Sequence, residues 1–240
     1  MDLILSSGFL AFASHAGFLA AVEESGAPVG GVCGTSSGAL AGAGLAAGLP
    51  RSALLELLFA RPPAAFLSPS ITPWRGLVSL GRVVRLLRSK LPATFEGLDL
   101  PLGVGVMNGA GRPELVTAGP LPEAVAASMA IPRVFSPVRV AGRMLADGGM
   151  VDRTALHAWR SHRPGAEVLL HLIESTGSRF GGTAPEGDPG DSVEGVRVVR
   201  SPRSGASFLN LGDVSGRFEA ARLRTSAILG GSAAPAGRVR

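Results

Sequence analysis

The sequence predicts an α/β fold, a three-layer α/β/α sandwich in which helices cover both faces of a central, mostly parallel sheet. Strand-like and helical segments alternate from the first residues, and such strand–helix–strand connections join parallel strands. Hydrophobic residues make up 46% of the chain and charged residues 17%, which is enough apolar material for a large core. The 240 residues fit one domain, which we expect over residues 1–229, followed by a disordered tail over residues 230–240.

The first four elements follow from short apolar runs and the residues that interrupt them. Gly26-Ala27-Pro28 ends the first helix, and the second helix is rich in alanine and glycine, which allows close packing on the sheet. The predicted elements are a strand over residues 3–5, a helix over 14–25, a strand over 29–33 and a helix over 37–48.

The apolar stretch 3–22 also admits a second interpretation, as a signal or membrane helix. Asp2 stands where a basic flank is expected, and Ser6-Ser7-Gly8 interrupts the apolar run early. Acidic residues, Glu23 and Glu24, follow the stretch. We therefore favour a soluble strand–loop–helix and a cytoplasmic location with peripheral contact at the membrane.

Segment 75–91 predicts a basic amphipathic helix, because its arginines and aliphatic residues fall on opposite sides of a helix. The basic side holds Arg75, Arg82, Arg85 and Arg88, and the apolar side holds Leu77, Leu80, Val84, Leu87 and Leu91. One interpretation is a surface helix whose apolar stripe packs on the core. The other is an interfacial helix that makes transient contact with a membrane surface containing anionic lipid.

The remaining elements continue the alternation. We expect helices over 51–60, 121–129 and 215–229, and strands over 101–107, 113–117, 167–173 and 196–199. Residues 138–140 and 144–146 predict a hairpin around Ala141-Gly142, and loops are expected over 62–73, 108–111 and 181–191.

Charge and cysteine content indicate whether nucleic-acid binding, disulfide bonds or metal binding are to be expected. The net charge is +5, but nearly all basic residues are arginine and no aromatic residues are interleaved with them, so we expect no nucleic-acid partner. The single cysteine, Cys33, excludes an internal disulfide and is interpreted as a small buried apolar residue. Metal-ligand spacing is absent, so no metal or other cofactor is expected.

The stretch Gly34-Thr35-Ser36-Ser37-Gly38 lies between a buried strand and a helix, which is the setting of a serine nucleophile. Gly34 and Gly38 suit positions where a side chain would collide with the neighbouring strand or helix. Ser36 would project from the turn, and the Ser37 N–H at the helix N-terminus would face an oxyanion. The motif alone is weak evidence, because the chain contains 34 glycines.

A base for Ser36 has to come from elsewhere in the chain. Of the four histidines, His157 is the one weighed for a conventional triad, although its sequence context is ordinary. Asp147 is better placed, since it ends a strand and precedes Gly148 and Gly149, which allow another backbone to approach closely. An ordinary turn aspartate is the alternative interpretation.

Four stretches, in order along most of the chain, resemble the patatin-like phospholipases. They are Leu3-Ile4-Leu5-Ser6 with His15-Ala16-Gly17-Phe18-Leu19, then Gly34-Thr35-Ser36-Ser37-Gly38, then residues 124–132 with Phe135-Ser136-Pro137, and Asp147-Gly148-Gly149. The resemblance implies a Ser–Asp dyad without histidine, with Ser36 as nucleophile and Asp147 as base. It further implies a lipid acyl hydrolase that cleaves carboxylic esters of phospholipid or other acyl lipids through an acyl-enzyme.

Apolar residues near this dyad suggest a path for an acyl chain. The candidate channel residues are Phe9, Leu10, Phe12, Phe66 and Leu67, with plain core packing as the alternative.

One departure from the family concerns the loop after the first strand, whose usual pattern is Gly-Gly-Gly-x-Arg/Lys-Gly. Here the loop reads Ser7-Gly8-Phe9-Leu10-Ala11-Phe12, so one glycine is kept and the basic residue is absent. The oxyanion hole is still expected from the backbone N–H groups of Gly8, Phe9 and Ser37. A second hypothesis follows, a catalytically weakened member that binds lipid or a partner protein. A further departure, Asp152-Arg153-Thr154, bears on local substrate contacts.

Overall fold

A computed structural model describes residues 1–50, 52–53, 56, 68–70, 74, 76–174, 193–207, 210 and 212–231. The predicted helix over 51–60, the loops over 62–73 and 181–191 and the tail over 230–240 lie mostly or wholly outside these residues. Phe66 and Leu67 lie outside them as well. The domain extent of 1–229 stays a prediction.

Eleven strands form within the described residues, and eight of them build one mixed sheet. In chain order they are β1 (Asp2–Leu5), β2 (Gly31–Thr35), β3 (Ser68–Pro69), β4 (Gly76–Ser79), β5 (Leu102–Met107), β6 (Pro113–Val116), β7 (Arg133–Phe135), β8 (Val138–Val140), β9 (Arg143–Asp147), β10 (Val168–Ile173) and β11 (Val196–Ser201). The large sheet has the order β11-β10-β1-β2-β5-β9-β8, with β6 also on β5. Strands β11 through β5 in that order are parallel, and β6, β8 and β9 are antiparallel.

Helices cover both faces of this sheet. They are α1 (Phe12–Ser25), α2 (Ser37–Ala46), α3 (Gly81–Lys90), α4 (Leu121–Ser128), α5 (Leu156–His162) and α6 (Val214–Gly230). Side chains alternate along β1, so Leu3 and Leu5 join the core under α1, α2 and α4, while Ile4 joins a second core with Trp159 of α5. Three layers result, and the predicted α/β/α sandwich is confirmed.

Most sequence-based elements match the structure to within two residues at each end. The hairpin of β8 and β9 turns at Ala141 and Gly142, which both have positive φ, 46° and 84°. The predicted helix over 75–91 is wrong at its start. Gly76–Ser79 forms strand β4, which pairs in parallel with β7, and Leu77 is 67% exposed instead of lying on an apolar stripe.

The reason for this error is a contact that local periodicity does not encode. A side chain at Gly76 would begin 2.2 Å from the Phe135 carbonyl carbon, so the backbones of β4 and β7 approach closely there. As a strand, residues 76–79 make backbone hydrogen bonds with β7, which they could not make as part of a helix. From Gly81 onward the helix forms as predicted, with Leu87 buried against the core and Arg82 and Arg85 outside.

The sheet topology brings β9 next to the end of β2. β5 pairs with β2 at residues 102–105 and with β9 at Val106 and Met107. β6 pairs with residues 104–107 of β5, a range that includes residues paired with β2 and residues paired with β9. β6 therefore lies along the other edge of β5, and β2 and β9 share one edge. β9 thus continues the edge of β5 where β2 stops. Asp147, the last residue of β9, consequently lies beside the residue that follows β2, Ser36.

No helix among the described residues combines the length and the apolar character required to cross a bilayer.

Candidate active site

Ser36 occupies a strained turn between β2 and α2. Its backbone has φ 55° and ψ −119°, a region that residues with side chains rarely adopt. Gly34 and Gly38 make the turn possible by close packing. A side chain at Gly34 would begin 2.4 Å from the Gly38 carbonyl oxygen, and one at Gly38 would begin 2.2 Å from the Leu5 carbonyl oxygen.

The Ser36 hydroxyl donates a hydrogen bond to Asp147. The distance between Ser36 Oγ and Asp147 Oδ2 is 2.9 Å. The second carboxylate oxygen, Oδ1, accepts the Gly149 N–H at 2.8 Å, within the short helical turn Gly148–Met150. One oxygen of Asp147 is therefore held by the backbone while the other faces the serine, which is the geometry a direct proton acceptor requires.

Burial changes the acid–base chemistry of Asp147. The carboxyl is 4% exposed, and this desolvation raises its pKa from 3.8 to about 7. The hydrogen bonds from Gly149 and Ser36 oppose the rise in pKa but do not cancel it. A carboxylate with a pKa near neutral pH is a far better base than a solvent-exposed aspartate.

The loop after β1 is fixed by donors from several elements. The Ser7 carbonyl accepts the Arg153 guanidinium at 3.4 Å, and the Gly8 carbonyl accepts the Ser37 hydroxyl at 2.7 Å. The Phe9 carbonyl accepts the Ser204 hydroxyl at 2.5 Å. Three consecutive peptide groups are thus oriented by their oxygens, even though bulky residues replace the family's glycines.

Two backbone donors near the dyad have no acceptor among the described residues. The Gly8 N–H makes no hydrogen bond there, and Ser37 is the first residue of α2, where no earlier helical carbonyl is available. Leu10 has φ 52°, a strained value for a residue with a bulky side chain, so the loop keeps a tight turn although this position is not glycine.

Three of the five candidate channel residues lie within the described part of the chain. Phe9 and Leu10 are partly exposed, whereas Phe12 is buried in the main core and Leu10 packs against that core. Phe66 and Leu67 lie outside the described residues, so the acyl channel stays a prediction.

Among the described residues, no histidine forms a hydrogen bond with Ser36. His157 is exposed on α5, and the Ser36 hydroxyl is bonded to Asp147 instead. His15 and His171 are fully buried and share a hydrogen bond of 2.9 Å between their Nδ1 atoms. Desolvation lowers the pKa of His15 to about 3 and lowers the pKa of His171 as well, so both stay neutral.

Cys33 is fully buried, and burial raises the pKa of its thiol, which keeps it protonated and unreactive. Within the part of the chain that the structure describes, no three His, Cys, Asp or Glu residues come together to hold a metal ion.

Sequence reasoning missed three residues that shape this site. Ser128 accepts the Ser36 N–H at 2.8 Å, and Arg153 and Ser204 hold the loop after β1. Each acts on a backbone group far away in the sequence, which leaves no local pattern. Ser128 lies in the third stretch that resembles the family and Arg153 lies in the departure Asp152-Arg153-Thr154, but neither pattern indicates which backbone group the side chain bonds.

Comparisons with known proteins agree with this architecture. Uncharacterized NTE family proteins of Mycobacterium tuberculosis and Mycobacterium bovis are 32% identical over 204 residues. The match covers 83% of this chain and 55% of theirs, so the chain spans just over half the length of these curated relatives.

Two crystal structures share the fold. VipD from Legionella pneumophila superposes with a TM-score of 0.57 at 14% identity, covering 96% of this chain and 66% of that one. The type III effector protein ExoU gives a TM-score of 0.50 at 18% identity, covering 96% and 52%. The family model described as patatin-like phospholipase matches residues 3–158. From this match and the 32% identity to the mycobacterial proteins, the chain belongs to the patatin-like phospholipase family.

Proposed function

We propose that the protein is a lipid acyl hydrolase that cleaves carboxylic esters of phospholipid or other acyl lipids, with Ser36 as nucleophile and Asp147 as base. The observation that carries the proposal is the 2.9 Å hydrogen bond from Ser36 Oγ to Asp147 Oδ2. It joins a serine on a strained elbow to a buried carboxyl whose pKa is raised to about 7. Membership of the phospholipase family supports a hydrolytic role.

The reaction begins when Ser36 Oγ bonds to the ester carbonyl carbon and its proton passes to Asp147 Oδ2. Backbone N–H groups of Ser37, Gly8 and Phe9 stabilise the oxyanion. Collapse of the tetrahedral intermediate breaks the ester C–O bond, and the leaving alcohol takes the proton from Asp147. A water molecule then gives a proton to Asp147 while its oxygen attacks the acyl-enzyme, and collapse returns that proton to Ser36 and releases the fatty acid.

A catalytically weakened protein that binds lipid or a partner is the second candidate. The strained φ of 52° at Leu10 favours it, because a loop built around bulky residues has less freedom to adjust to an oxyanion. The carbonyls of Ser7, Gly8 and Phe9 are nevertheless all hydrogen-bonded, which supports a formed hole. Activity therefore has to decide between the two.

A fluorophosphonate probe tests the proposed function directly, because it phosphonylates only an activated serine. We expect modification of the wild-type protein at Ser36, found by peptide mass spectrometry, together with hydrolysis of medium-chain acyl esters. Ser36→Ala loses both, whereas Ser89→Ala, an exposed serine on α3, loses neither. A wild-type protein that is neither labelled at Ser36 nor faster than Ser36→Ala on several ester classes supports the binding module.

We also propose transient contact with an anionic membrane surface. Trp74 is 79% exposed and Leu77 is 67% exposed, although large apolar side chains are usually buried. Arg82 and Arg85 lie on the exposed side of the nearby helix α3, whose Leu87 is buried. An exposed tryptophan and an exposed leucine that shortly precede a helix with exposed arginines match the chemistry of an interfacial anchor.

Vesicle co-sedimentation tests this contact. We expect binding to phosphatidylcholine vesicles to rise when phosphatidylglycerol is added, and to fall in Leu77→Ala and Arg85→Gln. Leu223→Ala is the control, because Leu223 is a similarly exposed leucine, 57% accessible, on the distant helix α6. This variant should bind like the wild type. Binding that ignores anionic lipid, or that Leu223→Ala reduces as much as Leu77→Ala, contradicts the proposal.

A further inference from the structure

We infer that Ser128 is a positioning residue of the proposed active site, whose hydroxyl holds the elbow backbone so that Ser36 points at Asp147. The inference rests on the proposed function. Ser128 is fully buried at the end of α4, and its hydroxyl bonds backbone groups of Ser36 and Gly105 instead of the Ser36 or Asp147 side chains. It therefore acts through the backbone of the nucleophile.

Two hydrogen bonds fix the Ser128 hydroxyl. Its Oγ accepts the Ser36 N–H at 2.8 Å and donates to the Gly105 carbonyl of β5 at 2.6 Å. The directions are unambiguous, because an N–H only donates and a carbonyl only accepts. A hydroxyl carries a single proton, so donation to Gly105 turns an oxygen lone pair toward Ser36. The nucleophile is thus tied to the sheet through Ser128.

This tie lies at the most strained residue of the site. Ser36 has φ 55° and ψ −119°, and such a conformation persists only when surrounding contacts hold it. Without the Ser128 hydroxyl, the Ser36 N–H would lose its acceptor in the interior of the protein. Relaxation of the Ser36 backbone would then relieve its strain, and the hydrogen bond that opposes this relaxation would be absent.

The same segment holds the other member of the dyad. The Ala130 carbonyl accepts the Asp147 N–H at 3.0 Å, and Ala130 is fully buried. Ser128 is the last residue of α4, and Ala130 follows it by two residues. The end of this helix therefore sets the position of Ser36 relative to Asp147, which gives a physical reason for the family-like stretch in residues 124–132.

Replacing Ser128 by Ala tests the inference with three readouts. We expect kcat on a soluble ester and the rate of fluorophosphonate labelling to fall by about 100-fold, as for other small misplacements of a nucleophile. KM should not change, because the Ser128 hydroxyl is fully buried and both of its hydrogen bonds are made to backbone groups of the protein. The pH midpoint of labelling should rise, since the Ser36 hydrogen bond normally lowers the pKa of Asp147.

Thr225→Ala is the matched control. Thr225 is another fully buried hydroxyl, and it donates to the Ala221 carbonyl at 2.7 Å on α6. It should lose comparable thermal stability while kcat, the labelling rate and the pH midpoint stay at wild-type values. Ser128→Cys keeps a weaker donor and acceptor at the same place and should label at an intermediate rate, so it serves if Ser128→Ala does not fold.

The outcomes separate this inference from the proposed function. If the wild type is not labelled, the proposed function fails and the inference falls with it. If the wild type is labelled but Ser128→Ala, or Ser128→Cys in its place, is labelled at the wild-type rate with the same pH midpoint, the inference alone is overturned.

Discussion

Replacing Asp147 by Asn should reduce ester turnover and labelling of Ser36 by about 10³- to 10⁴-fold, the contribution expected of a positioned base. The amide has nearly the same shape, and its oxygen can still accept the Gly149 N–H. Its nitrogen then faces the Ser36 hydroxyl, and a donor at that place cannot take the proton. Steady-state kinetics and labelling rates measure the loss.

The pH profile of the wild type gives a second check on Asp147. Only the carboxylate accepts a proton, so activity should rise with pH through a midpoint near 7, the raised pKa of Asp147. Asp147→Asn should lack this step in whatever activity it retains. Asp213→Asn, which alters an aspartate that caps α6, should keep both the step and the rate. A step that survives in Asp147→Asn would identify another group as the base.

Asp147→Asn should lower activity but raise the stability of the fold above neutral pH. Because the folded-state pKa of Asp147 lies above its ordinary value of 3.8, the folded protein favours the protonated form. The stabilisation is complete below the ordinary pKa and is lost as pH rises through about 7. Asparagine stays neutral, so thermal unfolding above that pH should occur at a higher temperature for Asp147→Asn than for the wild type.

Replacing Gly38 by Ala should destabilise the fold severely. The new methyl group would lie 2.2 Å from the Leu5 carbonyl oxygen and 2.8 Å from the Ser6 carbonyl oxygen. Both are backbone atoms at the end of a central strand and cannot move aside as a flexible side chain would. We expect a loss of about 4 kcal/mol or more in unfolding free energy, measured by urea denaturation, or a protein that does not accumulate in folded form.

Gly230→Ala is the matched control for this substitution. Gly230 is the last residue of α6, and among the described residues outside its own helical turn no atom lies within 4 Å of an added side chain. Alanine favours helix over glycine by about 0.8–1.0 kcal/mol, so this variant should be as stable as the wild type or slightly more stable. Equal urea midpoints for Gly38→Ala and the wild type would show that the elbow and β1 are not packed this closely.

The parts of the site that sequence could predict are those written in a few neighbouring residues. Ser36 lies between Gly34 and Gly38, and this five-residue pattern after a strand encodes the local turn. Asp147 was recognisable because a strand ends there and two glycines follow. The alternation of strands and helices likewise gave the layered architecture, since each pattern is local.

The parts that sequence could not predict depend on distant partners. Gly76–Ser79 carries a helical pattern, yet it pairs with β7, and nothing within those residues reveals that strand. Arg153 and Ser204 bond carbonyls of the loop after β1 that are 146 and 195 residues away along the chain. A side chain that bonds a remote backbone oxygen has no periodicity, and its role becomes visible only in three dimensions.

The central place of β1 has a consequence for how the protein is made. β1 precedes every other described strand in the chain and lies between β2 and β10, and the Ser6 N–H donates to the His171 carbonyl. One edge of β1 therefore stays open on the ribosome until residues 168–173 have emerged, which is a long-range pairing and a slow one. The Ser204 hydroxyl, which holds the Phe9 carbonyl of the loop beside Ser36, emerges later still. A nascent chain would thus carry Ser36 and Asp147 before the sheet around them is complete, and its exposed strand edge would be open to misassembly in the meantime.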